Sequence, residues 1–176
     1  MENLEALKFP IGKYEHTIQP SYLEIKSWIQ DLEEFPNVLA STLTKMNENQ
    51  LKSSYRPGGW TVLQVVHHLA DSHLNAYIRL KLALTEDQPL VKPYKEELWA
   101  ELADAQDTNY ESSLAILKGI HARFTACGNA LSEKEFSTLY KHPDYTQALP
   151  IHFLFGNYVW HGRHHLAQIN LVLRTS

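Results

Sequence analysis

The sequence holds one cysteine, Cys127, so no disulfide can form within the chain. A reducing compartment, the cytosol, is its natural setting. No apolar run is long enough to cross a bilayer. The opening "MENLEALKFPIGKYEH" lacks a basic segment followed by an apolar one, so no secretory leader is expected. A basic excess is missing too. The net charge of -4 and the pI of about 6.2 speak against a general nucleic-acid binder. Strand-like alternation is nearly absent, as are internal repeats and low-complexity tracts. What is present is an ordinary globular composition, with 44% apolar and 20% charged residues in 176. That length suits one domain, residues 1–176, with a full core. The abundant residue is histidine, with ten copies, and histidine is common at metal and proton-transfer sites.

Helical periodicity dominates the chain. The segment "KFPIGKYEHTIQP" reads as an extended arm between Pro10 and Pro20. A first helix follows with Tyr22, Ile25, Ile29 and Leu32 on one face. Pro36 should kink it or open its continuation, because proline lacks the amide hydrogen that an interior turn uses. After the turn "RPGGW", Thr61 and Gln64 form a capping-box pattern, and Trp60 and Val65 can staple across it. The second helix then runs to about Leu84. A loop with Pro89 and Pro93 and a short helix from Glu96 to Leu102 lead to a third long helix, about Tyr110 to Leu131. "SEKE" is a second capping-box pattern. The last helix should start near Leu149, with Pro150 in its first turn, and end near Leu173. Four long helices predict an all-α fold, a four-helix bundle with long connections.

On a wheel of the last helix, Leu154, Tyr158, His161, His165, Ile169 and Val172 share one narrow arc. His161 and His165 thus lie on the inward face at i,i+4 spacing, while His164 sits on the flank. Such a pair can aim two nitrogens at one metal ion. Gly162 stands where a zinc-protease motif would carry glutamate, so this is another kind of site and needs a ligand from elsewhere. The plainer alternative is two histidines hydrogen-bonded at the core edge. The second helix is apolar apart from a stripe of Gln64, His68, Asp71, Ser72, Asn75 and Arg79. The wheel favours a solvent face for this stripe; a functional reading makes it the polar wall of a cavity. Periodicity leaves His67 and His68 both open.

The stretches "YRPGGWTVLQVVHHLADSHLNAYIRLKLALTE", "KPYKEELWAEL", "IHARF", "HPD" and "YVWHGRHHLAQI" resemble the DinB/YfiT family, in particular its YfiT-like branch. The resemblance spans nearly the whole chain and is most specific in the second and last helices. It implies a bundle that holds one divalent ion per chain, zinc or nickel, on three histidines. Mapped here they are His68, which precedes Leu69, with His161 and His165; His67 is the reserve. Phe124 departs from an expected tryptophan, away from these positions. The family's name derives from damage induction of a relative and implies no DNA binding.

Three neutral imidazoles leave an open coordination position, as catalytic zinc sites do. The resemblance therefore implies a metal-dependent hydrolase acting on a small molecule. One alternative is a transferase using a low-molecular-weight thiol, to which Arg79 and Asn75 could contribute a recognition surface. Another is a non-catalytic metal-binding protein of the stress response. A homodimer in the cytoplasm is expected, without membrane or nucleic-acid partners. No general base is identified; Asp71 could orient a ligand histidine. His121 reads as a core residue that could touch the site, and His142 as a loop residue near the bundle mouth. His16, His73 and His152 carry no reading, and Cys127 reads as a small buried side chain.

Overall fold

The computed structural model describes residues 4–174. Its elements are α1 (Leu4–Lys8), α2 (Tyr22–Leu43), α3 (Glu48–Leu51), α4 (Val62–Thr85), α5 (Glu96–Trp99), α6 (Glu111–Ala130), a 3-10 turn (Glu133–Ser137), strands β1 (Leu139–Tyr140) and β2 (Leu149–Pro150), and α7 (Ile151–Arg174). Helices α2, α4, α6 and α7 form the bundle. Helices α2 and α4 each pack against both α6 and α7, so the order around the bundle is α2, α6, α4, α7. The two helices closest in sequence, α2 and α4, therefore stand diagonally across the core. Among the described residues, no helix is long and apolar enough to cross a membrane.

Local chemistry explains the start of α4. The Thr61 hydroxyl accepts from the Gln64 amide at 3.2 Å, and the Gln64 side chain accepts from the Thr61 amide at 3.0 Å. Two of the amides that a helix start leaves without partners are satisfied in this way. Ser132 and Glu135 do the same for the 3-10 turn.

Three boundaries differ from those read in the sequence. Pro150 pairs with Leu139 in a two-residue antiparallel ribbon, and α7 begins one residue later. Proline tolerates a strand edge as well as a first helical turn, since neither needs its missing N–H. The short helix from Glu96 closes at Trp99, and a short helix, α1, precedes the extended arm and ends at its first residue, Lys8. Pro36 neither ends nor splits α2; it lies buried inside a continuous 22-residue helix.

The core consists of two apolar clusters. One gathers Ile25, Ile29, Leu32, Leu80, Phe124, Phe136, Phe155 and Tyr158 with their neighbours. The other gathers Phe35, Leu39, Val62, Leu69, Leu117 and Ile169 with theirs. On each long helix one cluster gives way to the other over a few residues: Leu32 to Phe35, Leu69 to Ala76, Leu117 to Phe124, and Val159 to Ile169. Histidines 73, 121, 161 and 165 lie in those intervals on α4, α6 and α7.

Candidate metal centre

His68 comes from the second turn of α4, and His161 and His165 from adjacent turns of α7. One ring nitrogen from each lies within 4.8 Å of the other two. Nε2 of His68 lies 3.2 Å from Nε2 of His161. His68 and His165 are buried, while His161 is half-buried and lines a cavity. Trp60 covers the His68 ring at 4.7 Å between centroids. Trp60, the residue placed to staple the start of α4, thus also roofs the histidine.

Burial lowers the pKa of His68 to about 4. Burial lowers His161 and His165 well below the ordinary value as well, and the neighbouring imidazoles add to the effect. At neutral pH the three rings are therefore uncharged, which is the form that donates a lone pair to a metal. The donor set contains no carboxylate, and a trio of imidazoles suits zinc, nickel, copper or iron better than magnesium or calcium. The residues thus fit a divalent transition-metal ion.

The other ring nitrogens are largely occupied. Gln168, one turn past His165, accepts from its Nδ1 at 2.8 Å. The same amide donates to the Lys8 carbonyl at 3.0 Å and faces Nε2 of His164 at 2.9 Å. This fixes which end of the amide is oxygen, and so places the His165 proton on Nδ1 and leaves Nε2 its lone pair. His164 therefore sits behind the site. His67 points elsewhere: its Nδ1 meets the Ser113 hydroxyl at 2.8 Å and its Nε2 the Asp107 carbonyl at 3.0 Å. Of the doublet, His68 is the member that meets α7.

The polar stripe of α4 is not the solvent face that the wheel favoured. His68 and Ser72 are buried, and Gln64, Asp71, Asn75 and Arg79 are half-buried. The reason is the long connection from α4 to α6, which lies over the stripe. Gln64 donates to the Ala100 carbonyl at 3.0 Å and Arg79 to the Lys92 carbonyl at 3.3 Å. Burial raises the pKa of Asp71, helped by Asp104. Among the described residues, the groups that hydrogen-bond the trio from outside are Gln168 and His73, not Asp71.

His73 and His121 were given no part in the site by the sequence reading, apart from a contact allowed for His121. Both are buried and bonded to each other, Nδ1 of His73 to Nε2 of His121, at 2.8 Å. Nε2 of His73 reaches Nδ1 of His161 at 3.2 Å. Phe35 stacks on both rings, at 5.7 and 5.6 Å. It also explains Gly162, where a Cβ would meet the Phe35 ring at 3.0 Å. The signal in the sequence was chemical rather than periodic: a histidine inside a bundle needs partners for both ring nitrogens.

Beside His161 lies a cavity of about 220 Å³, whose wall includes Ser72, Arg79, Tyr94, Tyr140, His142 and Tyr158. Arg79 donates to the Tyr158 hydroxyl at 3.4 Å, and its buried Nε has no partner among the described residues. Burial raises the pKa of all three phenols, so they stay protonated. Burial and the nearby Arg79 lower that of His142.

A four-helix bundle that brings three imidazoles from two helices to one point defines a recognisable class of protein. The chain belongs to the DinB superfamily, whose profile matches residues 31–169. It is 44% identical over 168 residues to YfiT of Bacillus subtilis strain 168, covering 96% of this chain and 94% of that one. A protein of Oceanobacillus iheyensis is 45% identical over 162 residues, covering 92% and 93%. The names of both assign them provisionally to the metal-dependent hydrolases. The solved structure of YfiT from Bacillus subtilis matches with a TM-score of 0.92 at 44% identity, over 96% of this chain and 97% of that one. It is described as "a probable metal-dependent hydrolase with an unusual four-helix bundle topology".

Proposed function

We propose that this protein is a metal-dependent hydrolase that binds one divalent ion, zinc or nickel, on His68, His161 and His165. The observation that carries the reading is the convergence of three neutral imidazoles, two buried and one half-buried, beside a cavity of small-molecule size. When bound, such an ion supplies Lewis acidity, polarising an acyl oxygen and acidifying water. The chain's own residues bind and orient the substrate. The phenols of Tyr94, Tyr140 and Tyr158 and the Arg79 guanidinium present donors to the cavity, which suits a substrate rich in oxygen acceptors. His142, on the same wall, accepts the Asp144 amide at 3.3 Å through Nδ1 and so carries its proton on Nε2.

The test is metal analysis of untagged protein, followed by assays on small esters and amides. One equivalent of ion is expected. His165→Ala should lose it, and His164→Ala should keep most of it. Full retention of metal by His165→Ala refutes the assignment.

Arg79 favours a second reading. A cation in the cavity wall also suits the carboxylates of a low-molecular-weight thiol, and the reaction would then be thiol transfer to an electrophile. Asn75, the other residue expected in that surface, does not line the cavity wall; its amide donates to the Asp71 carbonyl at 2.9 Å. Thiol conjugation that requires His161 and His165, with no hydrolysis above background, would decide for the transferase. We also propose a cytoplasmic homodimer, supported by Leu74 and Ile78, which stay exposed on the outer face of α4. Light scattering that shows a monomer at micromolar concentration overturns it.

A further inference from the structure

The contacts of His73 and His121 form a chain that runs through all four long helices, and its polarity can be read from one end. That end is the carbonyl of Leu32 in α2, which meets Nδ1 of His121. A carbonyl can only accept, so His121 donates from Nδ1 and its neutral ring keeps a lone pair on Nε2. The partner at that lone pair, Nδ1 of His73, must therefore be the donor, at 2.8 Å. Nε2 of His73 is left as an acceptor, and Nδ1 of His161 donates to it at 3.2 Å. Each step follows from the one before, because a neutral imidazole has one N–H and one lone pair.

We infer that His73 and His121 are positioning residues that transmit the polarity of the Leu32 carbonyl to His161, holding its proton on Nδ1 and its lone pair on Nε2. Nε2 of His161 is the atom that faces His68. In the metal-free protein the same polarity makes Nε2–H of His68 the donor of that last contact. The inference rests on the metal reading above for its purpose, though not for its geometry.

The sequence supplies the free carbonyl. Residue 36 lies four positions beyond Leu32 and would normally donate its amide hydrogen to that carbonyl. It is proline, which has none, and it sits inside an unbroken helix. The orphaned acceptor is taken by a side chain from α6 instead. The chain ends there, on a group that cannot take up and pass on a proton. It therefore acts as an orienting device and offers no route for protons to leave the site. Phe35 stacks on His73 and His121 and holds the two rings in register.

Long-range nitrogen–proton correlation spectra of the metal-free protein test the polarity directly. Histidines 73, 121 and 161 should each carry their proton on Nδ1, and His68 on Nε2. Two variants test the purpose. His73→Phe keeps the ring stack but removes the acceptor; metal affinity should fall about 10- to 100-fold, the usual cost of losing a group that orients a metal ligand. His73→Gln restores the polarity, since its amide can donate to His121 and accept from His161, and affinity should return to within about threefold. His161 protonated on Nε2 in the metal-free protein overturns the inference, and so does unchanged metal affinity in a folded His73→Phe. Because the spectra need no metal, a wild-type protein that binds none would remove the proposed function while the proton positions still decide the polarity.

Discussion

Two ring stacks occupy this bundle, and on α6 they lie about one turn apart, at His121 and Phe124. In one, Phe124 lies parallel to Phe155 at 4.7 Å, and Phe136 meets the same ring edge-on at 5.6 Å. In the other, Phe35, His73 and His121 stack at 5.7 and 4.8 Å between neighbours. By shape the two are alike, and both are buried. They differ in what specifies them. The phenylalanine stack is fixed by volume, and any ring that fills the space serves. The imidazole stack must also pair every nitrogen, because a buried polar group without a partner costs about 1–3 kcal/mol. That demand makes it directional, and direction is what a metal ligand needs.

Acid should break the comparison most severely. Burial depresses the pKa of His68 and of His121 to about 4, and lowers His73, His161 and His165 well below the ordinary value. A histidine of the unfolded chain takes up its proton near pH 6.5. Between those limits the unfolded state binds more protons, so stability rises with pH and is lost as pH falls. The loss begins near pH 6.5 and continues to about pH 4, where the native His68 and His121 also titrate. One pKa unit is about 1.4 kcal/mol, so each such imidazole costs on the order of 2 kcal/mol by pH 5. Urea unfolding with a chelator present, at pH 7 and pH 5, measures it. Equal midpoints would mean that the rings are charged or solvated in the native state.

Phe155→Ala should show the reverse pattern. Phe155 is fully buried against Phe124, Phe136 and Gly128. Its truncation should cost about 3–5 kcal/mol, equally at pH 7 and pH 5. Metal affinity of the folded variant should stay within about twofold of wild type. A large loss of affinity would show that the two stacks are coupled and that packing at one governs polarity at the other.

The apolar half of the molecule was legible in the sequence because burial there follows periodicity. The helical wheel placed Leu154, Tyr158, Ile169 and Val172 inward, and all four are buried. It also placed His161 and His165 together, since i,i+4 spacing is a local property. His73 was not legible, because five residues from His68 is 500° of helix, well off its line. What brings His73 and His68 to one ligand is that both reach His161 from α4, one to each of its nitrogens. That is a tertiary fact. The polar stripe was misjudged for a similar reason: a wheel shows which residues share a face, and the chain that covers the face comes from 13 to 36 residues away. Pro36 was recognised as a missing donor, but not the histidine from α6 that would use the vacancy.

Pro36→Ala is the mildest way to sharpen the comparison. The substitution restores an amide hydrogen four residues beyond Leu32, so the Leu32 carbonyl gains a second donor beside His121. A carbonyl has two lone pairs and can accept both. The proton positions of His121, His73 and His161 should therefore persist, and metal affinity should fall by no more than about threefold. Stability should rise or stay level, since alanine is the better residue in a helix interior by about 3 kcal/mol of propensity, less the packing that the buried proline ring provides. Denaturant midpoints and a metal competition titration on the same variant measure both. A fall in affinity as large as that of His73→Phe would show that Leu32 cannot serve two donors, and that the missing amide of Pro36 is itself part of the metal site.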